Sequence, residues 1–183
     1  SFSEYFVEDE TTVVDLGCST GKLLKEMKKH NDNHSSNCVY QGIEIEEDFF
    51  PELIDSDNLK FYKVDVCKFD WSLATKPYSL ITSIFTLQFI SKRDRGGIIE
   101  QIYNALMVGG AFIFAEKLLS SDALLEEMMT FCYYNWKQQH FSEKQILEKE
   151  IQLRHMMKLI THDQMMVMLK QAGFTTIQRF WQN

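Results

Sequence analysis

The chain reads as an α/β protein with a mostly parallel sheet flanked by helices, and three observations point there. Short apolar runs alternate with helical segments, the connections between them are short, and the first run enters a glycine loop followed at once by a helix. In TTVVDLGCSTG, residues 11–21, Val13, Val14 and Leu16 supply a strand core and Asp15 lies near its carboxyl end. Gly17 and Gly21 bracket a tight turn before the helix KLLKEMKK. The missing Cβ at Gly17 allows that turn and predicts a close approach by a ligand, whose space a side chain would occupy.

The later elements follow in order. NCVYQGIEIEEDF predicts a second strand over 39–45, with Glu44 near its end. A carboxylate at such a strand end can accept hydrogen bonds from both hydroxyls of a ribose. LKFYKVDVCKF predicts a third strand ending at Asp65, PYSLITSIFTLQFI a fourth around 80–85, and residues 94–106 a helix. GGAFIFAEKL predicts the fifth strand, with Gly109 and Gly110 marking the helix-to-strand turn.

Residues 121–159 carry no strand signal and are rich in methionine and aromatics. They predict a helical insertion, 119–160 in all, that caps the site between the fifth and sixth strands. Ser142 with Gln145 reads as a capping box within it. Met128, Met129, Met156, Met157, Met165 and Met166 are expected to act as adaptable core filling. A helix over 161–172, ended by Gly173, and a sixth strand over 175–181 complete the chain.

A length of 183 residues, 45% of them hydrophobic, predicts one domain, 1–183, with a sizeable core. No apolar run reaches membrane-spanning length and no leader pattern opens the chain, so a soluble cytoplasmic protein without membrane contact is expected. A net charge of −7 argues against a broad nucleic-acid surface. The basic groups Lys25, Lys28, Lys29 and Lys92, Arg93, Arg95 read as solvated faces. The four cysteines form no C-x-x-C pair and are expected as reduced thiols, with Cys18 a small loop residue. The five histidines show no metal-ligand spacing, so no metal is expected.

The loop discriminates among cofactors. A dinucleotide fingerprint needs glycine where Ser19 stands, and the G-x-x-x-x-G-K-[ST] phosphate loop is absent. The remaining pattern, D-x-G-x-x-x-G at Asp15, Gly17 and Gly21, resembles motif I of the class I S-adenosylmethionine (SAM) dependent methyltransferases, which have a Rossmann-like fold. That resemblance implies SAM against Asp15, Gly17, Cys18, Ser19 and Gly21, with its ribose at Glu44 and Ile45. It implies adenine at Asp65 and the backbone N–H of Val66, beside Ile84 and Phe85.

A closer resemblance runs through IFTLQFI, GGAFIFAEKL, NWKQQHFSEKQI and LITHDQMMVMLKQAGFTTIQRFWQ. These segments resemble the carboxy-S-adenosylmethionine synthase family, whose members convert SAM, with prephenate, into carboxy-SAM for wobble-uridine modification of tRNA. The resemblance implies SAM or carboxy-SAM as the bound small molecule and a homodimer, with the acceptor unspecified. Candidate substrate-side residues are Gln88, Tyr133, Tyr134, Arg154 and His155. In that family an arginine forks onto the added carboxylate. Glu150 stands at its place here, with Arg154 one helical turn onward. The family's seventh strand and amino-terminal lid helix have no counterpart segment in these 183 residues. The alternative reading is a SAM-fold binding or scaffold subunit without catalysis, its edges completed by a partner.

Overall fold

Val13 and Val14 point to opposite faces of the first strand, as successive strand residues must, and each meets a different layer of helices. The computed structural model, which describes residues 2–182, contains β1 (Thr12–Leu16), β2 (Val39–Glu44), β3 (Leu59–Lys63), β4 (Tyr78–Ile84) and β5 (Leu106–Ala115). All neighbouring strands pair in parallel, in the order β3-β2-β1-β4-β5. β1 is central and buried along its whole length, which explains its nearly unbroken apolar run.

On one face Val14, Leu16 and Ile81 pack with α2 (Lys92–Ala105) and α5 (His162–Ala172) through Ile98, Ile99, Ile102, Met165 and Leu169. On the other, Val13, Tyr40 and Leu80 pack with α1 (Lys22–Asn31) through Leu24 and Met27, beside Val7. From β1 the chain winds outward to β3, then returns to the opposite flank of β1 as β4. That reversal is a topological switch point, outside whose carboxyl ends open parallel sheets bind their ligands.

Three expectations need correction. β5 begins directly after α2, so Gly109 and Gly110 lie within its span rather than before it. Tyr78 pairs with Leu106 and Leu80 with Ala111, so residues 107–110 loop out of the ladder, and Gly109 supplies the required φ of +85°. Residues 175–181 form no strand. A strand exists through its ladder, and no ladder among the described residues includes this segment; Phe174 and Ile177 pack onto the α2/α5 side of the core instead. The helical segment therefore follows the fifth strand with no sixth strand behind it.

Between β5 and α5 the chain forms two helices, α3 (Ala123–Lys137) and α4 (Glu143–Met156). The capping box opens α4 as expected: the Gln145 N–H donates to Ser142 Oγ, and the Ser142 N–H donates to Gln145 Oε1 at 3.0 Å. Met165 is core, but Met128, Met129 and Met156 are about half exposed. Core filling fails for them because α3 buries no residue and α4 buries only Ile146.

Candidate functional site

Left-handed backbone is concentrated where β1 meets α1. Gly17 has φ +68°, Ser19 +50° and Gly21 +71°. The N–H groups of Gly17 and Cys18 both donate to the Ile43 carbonyl, at 2.8 and 3.0 Å, anchoring the loop to the end of β2. A Cβ on Gly17 would stand 2.2 Å from Thr86 Oγ1, so the glycine is required by Thr86 rather than by open ligand space. Thr86 Oγ1 in turn donates to the Leu16 carbonyl at 2.8 Å, tying β1 to the end of β4 across the switch point. Phe85, beside it, is also left-handed at φ +56°. Non-glycine residues held in this region cost energy and cluster where function requires a fixed shape.

The carboxylates line the same edge. Glu44 is 6% exposed and accepts three backbone N–H groups, from Ser19 at 2.8 Å, Ile45 at 2.7 Å and Glu46 at 2.8 Å. A carboxylate has about four acceptor positions, so most of this one's capacity shapes the loop. Asp15, 3% exposed, accepts from Thr82 Oγ1 at 2.7 Å. Burial pushes its pKa up to about 6; the Thr82 hydrogen bond opposes that rise and the charge of Glu44 adds to it. The same burial, reinforced by Asp15 and Glu44, pushes the Cys18 thiol up to about 12, which keeps it an inert loop residue. Asp65 accepts from the Cys67 N–H at 2.9 Å and caps a short turn over Val66–Lys68, in which Val66 is buried. Ile45, Ile84 and Phe85 stand exposed at the ends of β2 and β4, an apolar rim beside the acids.

A second network joins β4, β5 and the return from α4. The Leu87 N–H donates to Glu116 Oε1 at 2.9 Å, and the Lys117 N–H donates to Gln88 Oε1 at 2.9 Å. The Gln88 carbonyl accepts the Lys158 N–H at 2.7 Å, and Arg95, expected on a solvated face, is instead buried and donates to the carbonyls of Ile90 and Lys158. Burial drives Glu116 up to about 7, against the N–H groups it accepts and the charge of Arg95. Gln88, expected on the substrate side, is thus a buried brace that joins three segments.

The other substrate-side candidates lie on the helical pair. Lys137 Nζ is 3.1 Å from Glu150 Oε1 and 4.2 Å from the centre of the Tyr133 ring, which stacks on Trp136. Tyr134 is half-buried and its carbonyl accepts the Gln138 N–H. Arg154 and His155 are exposed in the last turn of α4. Sequence reasoning missed Thr82 and Glu116. Thr82 had one weak signal, a hydroxyl in a strand that also carries Ser79 and Ser83 and runs directly beside the strand that bears Asp15. A cleft lies elsewhere, along β3, lined by Phe61, Lys63, Phe69 and Leu73, and shares no residue with the loop or its acids.

A family model for the methyltransferase domain matches residues 2–179. The chain belongs to that family. Carboxy-S-adenosyl-L-methionine synthase of Staphylococcus epidermidis is 36% identical over 187 residues, covering 98% of this chain and 78% of the relative. The synthase of Nitratiruptor sp. is 32% identical over 180 residues, covering 94% of this chain and 72% of the relative. Human N-acetylserotonin methyltransferase, solved with SAM, matches at a TM-score of 0.58 and 19% identity. That match covers 97% of this chain and 44% of the human one, and it is a likeness of fold. The chain is thus a SAM-dependent transferase of the methyltransferase family, grouped with the carboxy-SAM synthases. Among the described residues no helix is long and apolar enough to cross a membrane.

Proposed function

We propose that SAM lies across the β1/β4 switch point and that the chain performs the chemistry of its carboxy-SAM synthase relatives. One observation carries the site: Glu44 holds Ser19 of the glycine loop while standing at the end of β2 beside exposed Ile45. The residues present fit the ligand. Exposed Ile45, Ile84 and Phe85 offer apolar contact to a purine, Glu44 and Asp65 offer acceptors to hydroxyls and an amine, and Asp15 offers negative charge to a cationic ligand.

SAM supplies an activated one-carbon group when bound. The chain's part is to bind, orient and exclude water. Gly17, Cys18, Ser19 and Gly21 shape the backbone against the ligand, and Val66 offers its N–H to the adenine ring. The α3–α4 pair is rooted beside this edge at both ends, through the Leu119–Thr161 bridge and the Lys158 N–H on Gln88. We take it as a cap on the site within a single domain.

Lys137 neutralises Glu150, so that carboxylate does not oppose a carboxylated ligand, and Arg154 is the nearby exposed cation. Leu124, Met128, Phe131 and Trp136 leave α3 with uncovered apolar surface that a second copy of the chain would bury, which supports a homodimer. On this reading the enzyme is cytoplasmic and its product serves tRNA wobble-uridine modification. The acceptor side is the small molecule that meets SAM under the cap.

The test is to purify the chain without added ligand, denature it and identify what it releases by mass spectrometry. Carboxy-SAM is the expected result. SAM or S-adenosylhomocysteine alone supports a second reading, ordinary methyl transfer. Release of no adenosyl compound, together with failure to take up added SAM, would sink both.

A further inference from the structure

Three metal-ligating side chains meet at the end of α1 that lies away from the glycine loop. Glu4, His30 and His34 each offer one ligand atom, and the three atoms lie within 4.8 Å of one another. His30 lies in the last turn of α1, and His34 follows where the chain bends back, its N–H donating to the Asn31 carbonyl at 2.8 Å. The bend keeps both imidazoles on one side, with ring centres 5.8 Å apart. Glu4 comes from the short turn Phe2–Tyr5 and is hydrogen-bonded to His30 through Oε1.

The two segments are already fixed against each other. Ser35 Oγ donates to the Val7 carbonyl at 2.9 Å, and the Ser36 N–H donates to Asp9 Oδ1 at 2.6 Å. Asn37 Nδ2 donates to Glu10 Oε1 at 2.6 Å, and the Glu10 N–H donates to the Ser36 carbonyl at 3.0 Å. Val7 is buried beneath this seam.

We propose that Glu4, His30 and His34 bind a divalent first-row transition ion of the zinc type, which staples the amino-terminal segment to α1. Two imidazoles and one carboxylate suit zinc, nickel or copper and disfavour magnesium or calcium, which prefer all-oxygen shells. Three protein ligands leave the fourth tetrahedral position to water. All three side chains are exposed, so the ion enters directly from solvent. Histidine spacing alone did not show the site because the third ligand lies 26 residues upstream of His30, on another segment.

The test uses the untagged chain stripped with a chelator, then titrated with zinc against a chromophoric competitor and, separately, with cobalt. One zinc per chain, a cobalt spectrum of four-coordinate character, and a zinc-dependent rise in Tm are expected. His34→Ala should weaken zinc binding by at least about tenfold, corresponding to 1.4 kcal/mol or more. Glu4→Gln should weaken it in the same direction, and both variants should retain SAM binding. Zinc affinity equal in wild type and His34→Ala overturns the proposal, whether because neither binds or because the ion sits on exposed Cys67 or Cys132.

Discussion

The Ser19 N–H donates to Glu44 at 2.8 Å, so the carboxylate that closes β2 also holds the loop that follows β1 in its left-handed form. Shape and chemistry of the site therefore depend on the same side chain. Glu44→Ala leaves three backbone donors without their acceptor at a position 6% exposed. Destabilisation of at least about 2 kcal/mol in urea unfolding is expected, together with loss of SAM binding in calorimetry. A variant as stable as wild type would show that water replaces the carboxylate freely.

Gly17 and Thr86 should couple strongly. Gly17→Ala places a methyl 2.2 Å from Thr86 Oγ1 at φ +68°, adding a clash to the left-handed penalty of about 1–2 kcal/mol. In a Thr86→Gly background the clash is gone and only the backbone penalty should remain. A double-mutant cycle with additive costs would contradict this packing.

Asp15 and Glu116 set a pH dependence of stability. Burial raises them to about 6 and about 7, so the folded chain retains protons that the unfolded chain has already lost. The unfolded state binds fewer protons between roughly pH 4 and 7, and stability should fall as pH rises through that window. Urea midpoints across the window should show this slope, with Asp15→Asn and Glu116→Gln each flattening its own part. A cationic ligand favours ionised Asp15, so SAM binding should strengthen as pH rises through about 6 and release protons, read by calorimetry in buffers of different ionisation enthalpy.

The Lys137–Glu150 pair tests the helical cap. The two side chains are 13% and 14% exposed, and although burial works against the Lys137 charge, Glu150 and Tyr133 hold its pKa above the usual value. Glu150→Gln should cost about 2 kcal/mol, because a mostly buried ammonium loses its anion. Lys137→Met combined with Glu150→Leu should recover most of that loss. Equal stability of all three chains would show that the pair is solvated in solution.

How much was legible in the sequence depended on whether the signal was local. The strand cores around Val13, Tyr40 and Ile81, the Ser142 capping box and the Gly173 stop were readable because periodicity, capping and positive φ act within a few residues. The loop motif placed Asp15 and Glu44 at adjacent strand ends for the same reason. The lack of a sixth strand was not readable, because residues 175–181 have strand-like composition while pairing is decided by a distant partner. The roles of Thr86, Gln88 and Lys137 were equally hidden, since each depends on a contact between segments far apart in sequence. The pairing of Glu150 with Lys137, 13 residues away, was hidden for the same reason.

The most direct test of the central claim is amide hydrogen exchange of the intact chain with and without saturating SAM. The account predicts saturable binding of one SAM per chain and slowed exchange at Ser19, Ile45, Val66 and Phe85, along the carboxyl edge of the sheet. Protection confined to the residues that line the cleft along β3, Phe61, Lys63, Phe69 and Leu73, or no protection anywhere, would contradict it.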